Sequence, residues 1–112
     1  IIFDEIDTGV SGRVSQRMAE KMYQLGVGSQ VLCISHLPQT TALADTNLLI
    51  SKEIIDKRTL TVIRELTEEQ KIAEVARMVS GDTMTKLSEE HSIEMLRLAE
   101  KTKEEIKEKL NK

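Results

Sequence analysis

Aromatic side chains are almost absent from this sequence of 112 residues. It contains no tryptophan, one phenylalanine and one tyrosine. A core built on stacked rings is therefore excluded, and packing must come from aliphatic side chains with five methionines as fillers. The length suits a single domain, so we expect residues 1–112 to form one domain with a modest core.

Cysteine and long apolar runs are scarce as well. Cys33 is the only cysteine, which excludes an internal disulfide and favours a reducing compartment. Apolar runs reach about four residues, against the roughly 20 needed to cross a bilayer, and no basic-then-apolar leader opens the chain. These absences predict a cytoplasmic protein with no membrane partner. A start at Ile1 indicates a piece of a longer polypeptide.

A large basic surplus is also lacking. The 16 basic residues face 19 acidic ones, for a net charge of -3. Because phosphate attraction needs a basic surface, this balance argues against a free-standing, non-specific DNA binder. It leaves room for a local basic patch.

Short apolar runs and helical spacing alternate in the first third of the chain. The runs IIF and QVLCIS predict two strands buried on both faces. Between them, a helix is predicted to begin after Ser11 as N-cap and to stop at Gly26 and Gly28. The strand–helix–strand order predicts a parallel pair with a right-handed crossover. The apolar stripe of this helix is Val14, Met18, Met22 and Leu25.

The middle of the chain predicts a short helix, a third strand and a hairpin. Pro38 fits the first turn of a helix, where its missing N–H costs nothing. The run TNLLIS is the third strand candidate. The runs EII and TLTVIREL flank a hairpin turn at residues 56–58, and the second arm alternates Leu60, Val62, Arg64 and Leu66.

Two capped helices are predicted for the remainder. Residues 67–70, TEEQ, form a capping box, and Gly81 ends that helix, whose buried stripe is Ile72, Val75, Ala76 and Val79. Thr85 caps the last helix, which is predicted to continue towards the C-terminus, and Leu87, His91, Met95 and Leu98 share one face of it. Beyond Lys101 the charged segment predicts a solvated, fraying end; the root of an extended element, or a terminus introduced by cloning, are the alternatives.

The first strand ends in two carboxylates. Asp4 and Glu5 would lie at the carboxyl edge of the sheet, where open α/β sheets bind ligands. Asp suits a Mg²⁺ shell completed by water, and Glu can orient or deprotonate an attacking water. Apolar residues followed by Asp-Glu form the Walker B pattern of nucleotide hydrolases. By itself this pattern also arises in ordinary strands followed by capped helices.

A glycine-containing loop and a histidine make the pattern more specific. Gly9 and Gly12 permit unusual backbone angles and close approach of another chain, although a plain loop with an N-cap explains them too. The second strand ends in Ser35-His36. An imidazole beside the Asp-Glu pair could hydrogen-bond a terminal phosphate, whereas a lone histidine at a strand end is more often structural.

The three-part pattern resembles the C-terminal half of an ABC/SMC-type ATPase head. The segments IFDEIDTGVSG, GSQVLCISHLPQTTALAD and EVARMVSGDTMT are similar to the C-terminal end of the RecN family, bacterial SMC-like proteins of DNA double-strand-break repair. The implied fold is α/β, half of a P-loop head with a mostly parallel sheet, flanking helices and a small hairpin. Residues 1–55 would carry the Walker B, D-loop and switch-histidine region, and 56–112 the hairpin and C-terminal helices.

The resemblance implies a role for each matching residue. Asp4 corresponds to the Walker B aspartate at Mg²⁺, Glu5 to the catalytic glutamate, and His36 to the γ-phosphate sensor that works beside it. Residues 7–12 correspond to the D-loop facing a second head. The residues expected at the nucleotide are Asp4, Asp7, Ser11, Gly12 and Ser35; threonine is as common as serine at the last position in the family, and Gln39 receives no catalytic role.

The phosphate-cradling motif G-x-x-x-x-G-K-[ST] and an LSGG-like signature do not occur in the sequence. In the family both lie upstream, beyond a long coiled-coil arm. We therefore expect binding of ATP and Mg²⁺ to need the N-terminal half of the head. A second head in an ATP-dependent homodimer and DNA are the further partners implied for the full-length protein. Since phosphoryl transfer is mostly positioning and charge stabilisation, this chain alone should not turn over ATP.

Three other functions remain open at this point. The chain could come from the head of another SMC-, Rad50- or RecF-like protein. It could be a metal-dependent phosphohydrolase or nuclease that binds Mg²⁺ or Mn²⁺ without ATP, built from Asp4, Glu5, Asp7, His36 and Asp45. It could also be a small interaction module whose carboxylates act only as caps.

Overall fold

Helices and strands alternate along the chain in a mixed α/β fold. The computed structural model describes residues 1–6, 9–81 and 85–111. In chain order the elements are β1 (Ile2–Asp4), α1 (Gly12–Gly28), β2 (Leu32–Ile34), α2 (Pro38–Leu43), β3 (Leu48–Ile55), β4 (Arg58–Glu65), α3 (Glu68–Ser80) and α4 (Lys86–Leu110). None of the helices in the described residues is long and apolar enough to cross a membrane.

The first two strands form the predicted parallel pair. Ile2 lies opposite Leu32 and Asp4 opposite Ile34, with α1 as the crossover between them. The expectation that both faces are buried is wrong, because Ile2 is 71% exposed. Within the described residues, no helix packs closely against either strand. The described helices therefore do not shield the apolar side chains of these two strands from water.

The hairpin is longer than the sequence predicts, and it absorbs the third strand. The runs TNLLIS and EII join into β3, which pairs with β4 from Leu48 opposite Glu65 to Ile55 opposite Arg58. Asp56 and Lys57 both have positive φ, as in the two-residue turns that match strand twist. Such a turn fixes the register, so β3 pairs along its whole length with β4 and does not extend the parallel sheet. The predicted division at residue 55 falls at this turn.

The predicted helix caps are confirmed. The Ser11 hydroxyl accepts from the Val14 N–H at 3.3 Å, and Thr67 forms a capping box with Gln70. Thr85 caps α4 in the same way. The first helix runs through Gly26 and ends at Gly28, so only the second glycine coincides with its end.

The core lies among the four helices and consists mostly of small side chains. Its centre is Ala19, Ala42, Leu43 and Ala99, and Val75 and Ala76 of α3 are fully buried. The face of α4 that carries Leu87, His91, Met95 and Leu98 is not the buried side of the helix, since Leu87 is 76% exposed. The residues that α4 buries are Ser88, Ser92, Ala99 and Lys103. Small side chains let α3 approach closely, and Ser92 donates its hydroxyl to the Ile72 carbonyl at 2.7 Å.

The charged segment beyond Lys101 is helical to Leu110, and most of its residues are exposed. Helix α4 continues to Leu110, and the Lys103 and Lys107 ammonium groups lie 5.7 and 6.0 Å from the centre of the Tyr23 ring on α1. The interaction of the Lys107 ammonium with the Tyr23 hydroxyl raises the pKa of Lys107. Cation–π contacts of this kind hold the end of α4 against α1, and they do not require an apolar stripe.

Candidate nucleotide site at the edge of the parallel pair

The ends of β1 and β2 lie side by side. Asp4 is opposite Ile34, and the Glu5 N–H donates to the Ile34 carbonyl at 2.8 Å. His36 follows Ile34 by two positions, so its backbone leaves the sheet at the same edge. The side chains of Asp4, Glu5 and His36 are all exposed. The structure therefore brings the three predicted site residues to one open edge and buries none of them.

Glu5 has an unusual backbone conformation. Its φ is +50°, the left-handed region that costs a non-glycine residue roughly 1–2 kcal/mol. The extended conformation of β1 ends there, so the strict alternation that would send Asp4 and Glu5 to opposite faces ends as well. Residues held in this region cluster at functional sites, which fits a carboxylate that must be aimed at a ligand.

The loop after Glu5 leads into the N-terminus of α1. Gly9 has φ +79°, a conformation that glycine adopts without strain. The Ser11 hydroxyl is used as the cap of α1, and a Cβ at Gly12 would lie 3.4 Å from Nε2 of Gln39. The predicted role of Asp7 lies outside the described residues.

Gln39 is a residue whose position the sequence did not predict. Its side chain on α2 lies beside Gly12 at the start of α1, which joins the segment after His36 to the loop after Glu5. It also lines a hollow of about 160 Å³ between α1, α2 and α4. A signal was available in its position one residue after Pro38, in the first turn of a helix that begins beside the candidate site.

Ser35 has a structural role in addition to its predicted one. Its hydroxyl accepts from the Leu37 N–H at 3.2 Å, which closes a local turn around His36. Helix α2 begins directly afterwards at Pro38. The turn sets the direction in which the chain leaves β2, and so helps to place His36.

The donor chemistry at the edge suits half of a Mg²⁺–nucleotide site. An exposed aspartate at a sheet edge can join a magnesium shell completed by water and phosphate oxygens. Within residues 1–6, 9–81 and 85–111, however, no three His, Cys, Asp or Glu side chains cluster closely enough to hold a metal ion. Asp45 instead lies 3.4 Å from the Lys103 ammonium. The described residues thus do not assemble the self-contained metal centre of the phosphohydrolase hypothesis.

Comparison with known proteins identifies the family. No family model matches the chain. It is 58% identical over 99 residues to the DNA repair protein RecN of Halalkalibacterium halodurans, and 52% identical over 103 residues to RecN of Bacillus subtilis. RecN of Rickettsia conorii is 40% identical over 98 residues. The chain belongs to the RecN family.

The match covers nearly all of this chain but a small part of its relatives. The aligned residues are 88% of this chain and 18% of the H. halodurans RecN, and 92% and 18% for the B. subtilis protein. The chain therefore corresponds to a C-terminal segment of RecN. These matches favour a RecN origin of the chain over an origin from the Rad50- and RecF-like proteins that the sequence left open.

Proposed function

We propose that this chain is the C-terminal half of the ATPase head of a RecN-type DNA repair protein. In this role it supplies the residues that act on the outermost phosphate of ATP, while the other half of the head binds the phosphates. Repair of DNA double-strand breaks would be the work of the complete protein. The observation that carries the proposal is the meeting of Asp4, Glu5 and His36 at one exposed edge of the parallel pair.

Each of the three residues has a distinct part in this proposal. Asp4 joins the Mg²⁺ shell through its carboxylate, either directly or through water. Glu5 accepts a proton from the attacking water as general base, and His36 hydrogen-bonds the γ-phosphate. Mg²⁺ supplies neutralisation of the charge on the β- and γ-phosphate oxygens. Ser35 and residues 7–12 lie next to these groups in the chain and complete the nucleotide contacts.

The exposed strands support the need for a second half. One face of the parallel pair carries the exposed aliphatic side chains of Ile2, Leu32 and Ile34. The hairpin packs against no helix within the described residues, and an isolated two-stranded hairpin is at best marginally stable in water. Since the relatives are several times longer than this chain, we place the cover for these strands in the N-terminal half of the head.

The loop between Glu5 and α1 faces a second head in this proposal. Ser11 and Gly12 lie at the N-terminus of α1 and are exposed, so a partner can approach them. ATP bound between two heads favours the closed homodimer, and hydrolysis removes the γ-phosphate contacts and releases it. The dimer equilibrium shifts only by the difference in contact energy between the two nucleotide states.

Reconstitution of the head tests the proposal. The chain alone should not bind ATP at micromolar concentration, because two carboxylates without amide and lysine donors repel phosphates. Co-expression with the N-terminal part of a RecN protein should yield ATP hydrolysis. Micromolar ATP affinity of the chain alone would contradict the proposal, and Mg²⁺-dependent phosphoester cleavage by it without ATP would support the self-contained phosphohydrolase instead.

Substitution of Glu5 tests its role in the reconstituted head. Glu5→Gln should lower kcat at least about 100-fold, the usual contribution of general base catalysis, while ATP-bound dimers persist in size-exclusion chromatography. Asp4→Ala should weaken Mg²⁺–ATP binding as well. Glu104→Gln, on the exposed side of α4, is the matched control. An unchanged turnover rate in Glu5→Gln would favour the interaction-module hypothesis.

A further inference from the structure

Helix α2 is too short to hold its position unaided. It has six residues, Pro38–Leu43, whereas isolated helices below about 12 residues are marginal in water. Its last carbonyl groups have no partner within the helix and must be satisfied from elsewhere. The position of α2 is therefore decided by the groups that reach its C-terminal end.

Three side chains donate to that end. The Asn47 amide donates to the Thr41 carbonyl at 3.0 Å. The Ala44 carbonyl accepts from two ammonium groups, Lys71 on α3 at 2.9 Å and Lys103 on α4 at 3.1 Å. Cations are favourable at a helix C-terminus because the helix dipole is negative there. One carbonyl thus connects α2 to both C-terminal helices.

The two lysines are held in this arrangement by burial and by acidic neighbours. Lys103 is only 5% exposed and also lies 3.2 Å from a Glu100 carboxylate oxygen and 3.4 Å from Asp45. Lys71 is partly buried, and desolvation, followed by the charge of Lys103, lowers its pKa. A buried ammonium group that leaves its partners is left uncompensated at a large cost, so this arrangement is strongly favoured over others.

The other end of the same short helix begins two residues after His36. The turn from Ser35 to Leu37 leads from β2 into α2, and the Thr41 hydroxyl donates back to the Leu37 carbonyl at 3.0 Å. A displacement of the C-terminal end of α2 must therefore be taken up at residues 35–37. β2 is anchored on one side of His36 through its pairing with β1, and α2 is anchored on the other.

We propose that Lys71 and Lys103 are positioning residues for His36, because their shared grip on the Ala44 carbonyl fixes the helix that follows it. The inference rests on the proposed function in so far as His36 contacts the nucleotide. It makes the C-terminal helices, which lie away from the sheet edge, part of the machinery that orders that edge.

Amide exchange and the NMR signals of His36 test whether the hydrogen bonds of the two lysines to the Ala44 carbonyl fix the position of α2. Lys103→Met keeps the apolar stem and removes the donor, and Lys71→Met does the same on α3. Each should speed exchange of the Ala42 and Leu43 amides about tenfold or more, as expected when a local opening becomes easier. Each should also shift the imidazole signals of His36 in NMR spectra. Lys101→Met, on the exposed side of α4, should change neither.

Unchanged exchange and unchanged His36 signals in both variants would overturn the positioning role. Lys103→Arg keeps a donor and should retain slow exchange. If Lys103→Met unfolds the chain, as seen by circular dichroism, Lys71→Met at its less buried position decides the question. Loss of slow exchange throughout the helices, without a specific change at α2, would show a general structural role and also overturn the proposal.

Activity of the reconstituted head separates this inference from the proposed function. Lys103→Met should lower kcat for ATP several-fold with little change in KM, and Lys103→Arg should restore it. His36→Ala should lower kcat at least as much. Faster amide exchange in α2 of Lys103→Met would support the placement of α2 by the two lysines. If turnover were unchanged in His36→Ala at the same time, the role of His36 at the nucleotide would be refuted.

Discussion

The helices and the strands of this chain satisfy their apolar side chains in different ways. The four helices pack around Ala19, Ala42, Leu43 and Ala99 and bury Val75 completely. The strands form two separate two-stranded sheets whose isoleucines and leucines are largely exposed, up to 80% for Ile54. Contiguous exposed apolar surface usually marks an interaction site. The helices thus share a buried core, although Leu87 of α4 is 76% exposed, whereas none of the strand residues is buried within the described part of the chain.

The contrast explains where the candidate site lies. Asp4, Glu5 and His36 are placed by the strands, and the strands belong to the uncovered region. The groups that steady the neighbouring helix α2 come from the packed region, through Lys71 and Lys103. A site built at the border between the two regions is ordered from one side and open on the other, as expected for half of a composite site.

The largest expected effect is a charge placed in the helical core. Val75→Asp would bury a carboxylate at a site with no exposure and should lower the free energy of unfolding by about 3–5 kcal/mol or unfold the chain. Ile54→Asp on the hairpin should cost less than about 0.5 kcal/mol. Urea unfolding followed by circular dichroism measures both. Equal losses would show that the hairpin is packed in solution and would break the comparison.

A smaller effect is expected at the polar contact between α3 and α4. Ser92 is fully buried and donates to the Ile72 carbonyl at 2.7 Å. Ser92→Ala should lower the free energy of unfolding by about 0.5–1.5 kcal/mol, because one buried hydrogen bond between α4 and α3 is lost. Thr59→Ala, at an exposed position of β4, is the strand counterpart and should change it by less than about 0.5 kcal/mol. A larger loss in Thr59→Ala would contradict the division into packed and open regions.

The smallest effect is a dependence of stability on pH through Lys71. Its pKa is lowered in the folded chain, so the unfolded chain binds the proton more tightly. The free energy of unfolding should therefore rise as pH rises from the folded pKa of Lys71 towards the ordinary lysine value of 10.5. Lys71→Met should remove this rise, and urea unfolding at a series of alkaline pH values measures it.

A second variant isolates the cause of the Lys71 shift. Lys103→Met removes the neighbouring positive charge, so the pKa of Lys71 should increase while the contribution of burial remains. Lys101→Met should leave it unchanged. NMR titration of ¹³C-labelled lysine side chains follows the group directly. If the pKa of Lys71 did not increase in Lys103→Met, the two ammonium groups would not share the Ala44 carbonyl.

Local features of the fold were predictable wherever neighbouring residues decide them. The caps at Ser11, Thr67 and Thr85 and the proline start of α2 follow from hydrogen bonds and backbone limits within four residues. The parallel pairing of the first two strands followed from their order around a helix. The resemblance of three segments along the chain also led to the RecN family, which the comparisons confirm.

Features that depend on distant residues were missed. The sequence does not show that the residues α4 buries are Ser88, Ser92, Ala99 and Lys103. Hydrophobic periodicity predicts which side chains avoid water, but it cannot show that a serine will find a carbonyl on another helix. Strand β3 was predicted as two separate elements, because the sequence does not show which of its residues lie opposite β4.

By itself, the sequence determined the helix starts, the order of the elements, the family, and the residue types available at the candidate site, because each follows from contacts close along the chain or from the identity of the residues. Tertiary structure alone decided that the described strands lie outside the helical core and that two lysines converge on the end of α2. Those arrangements depend on groups separated by 27 to 59 positions, and their free energy depends on burial and geometry that no local pattern contains.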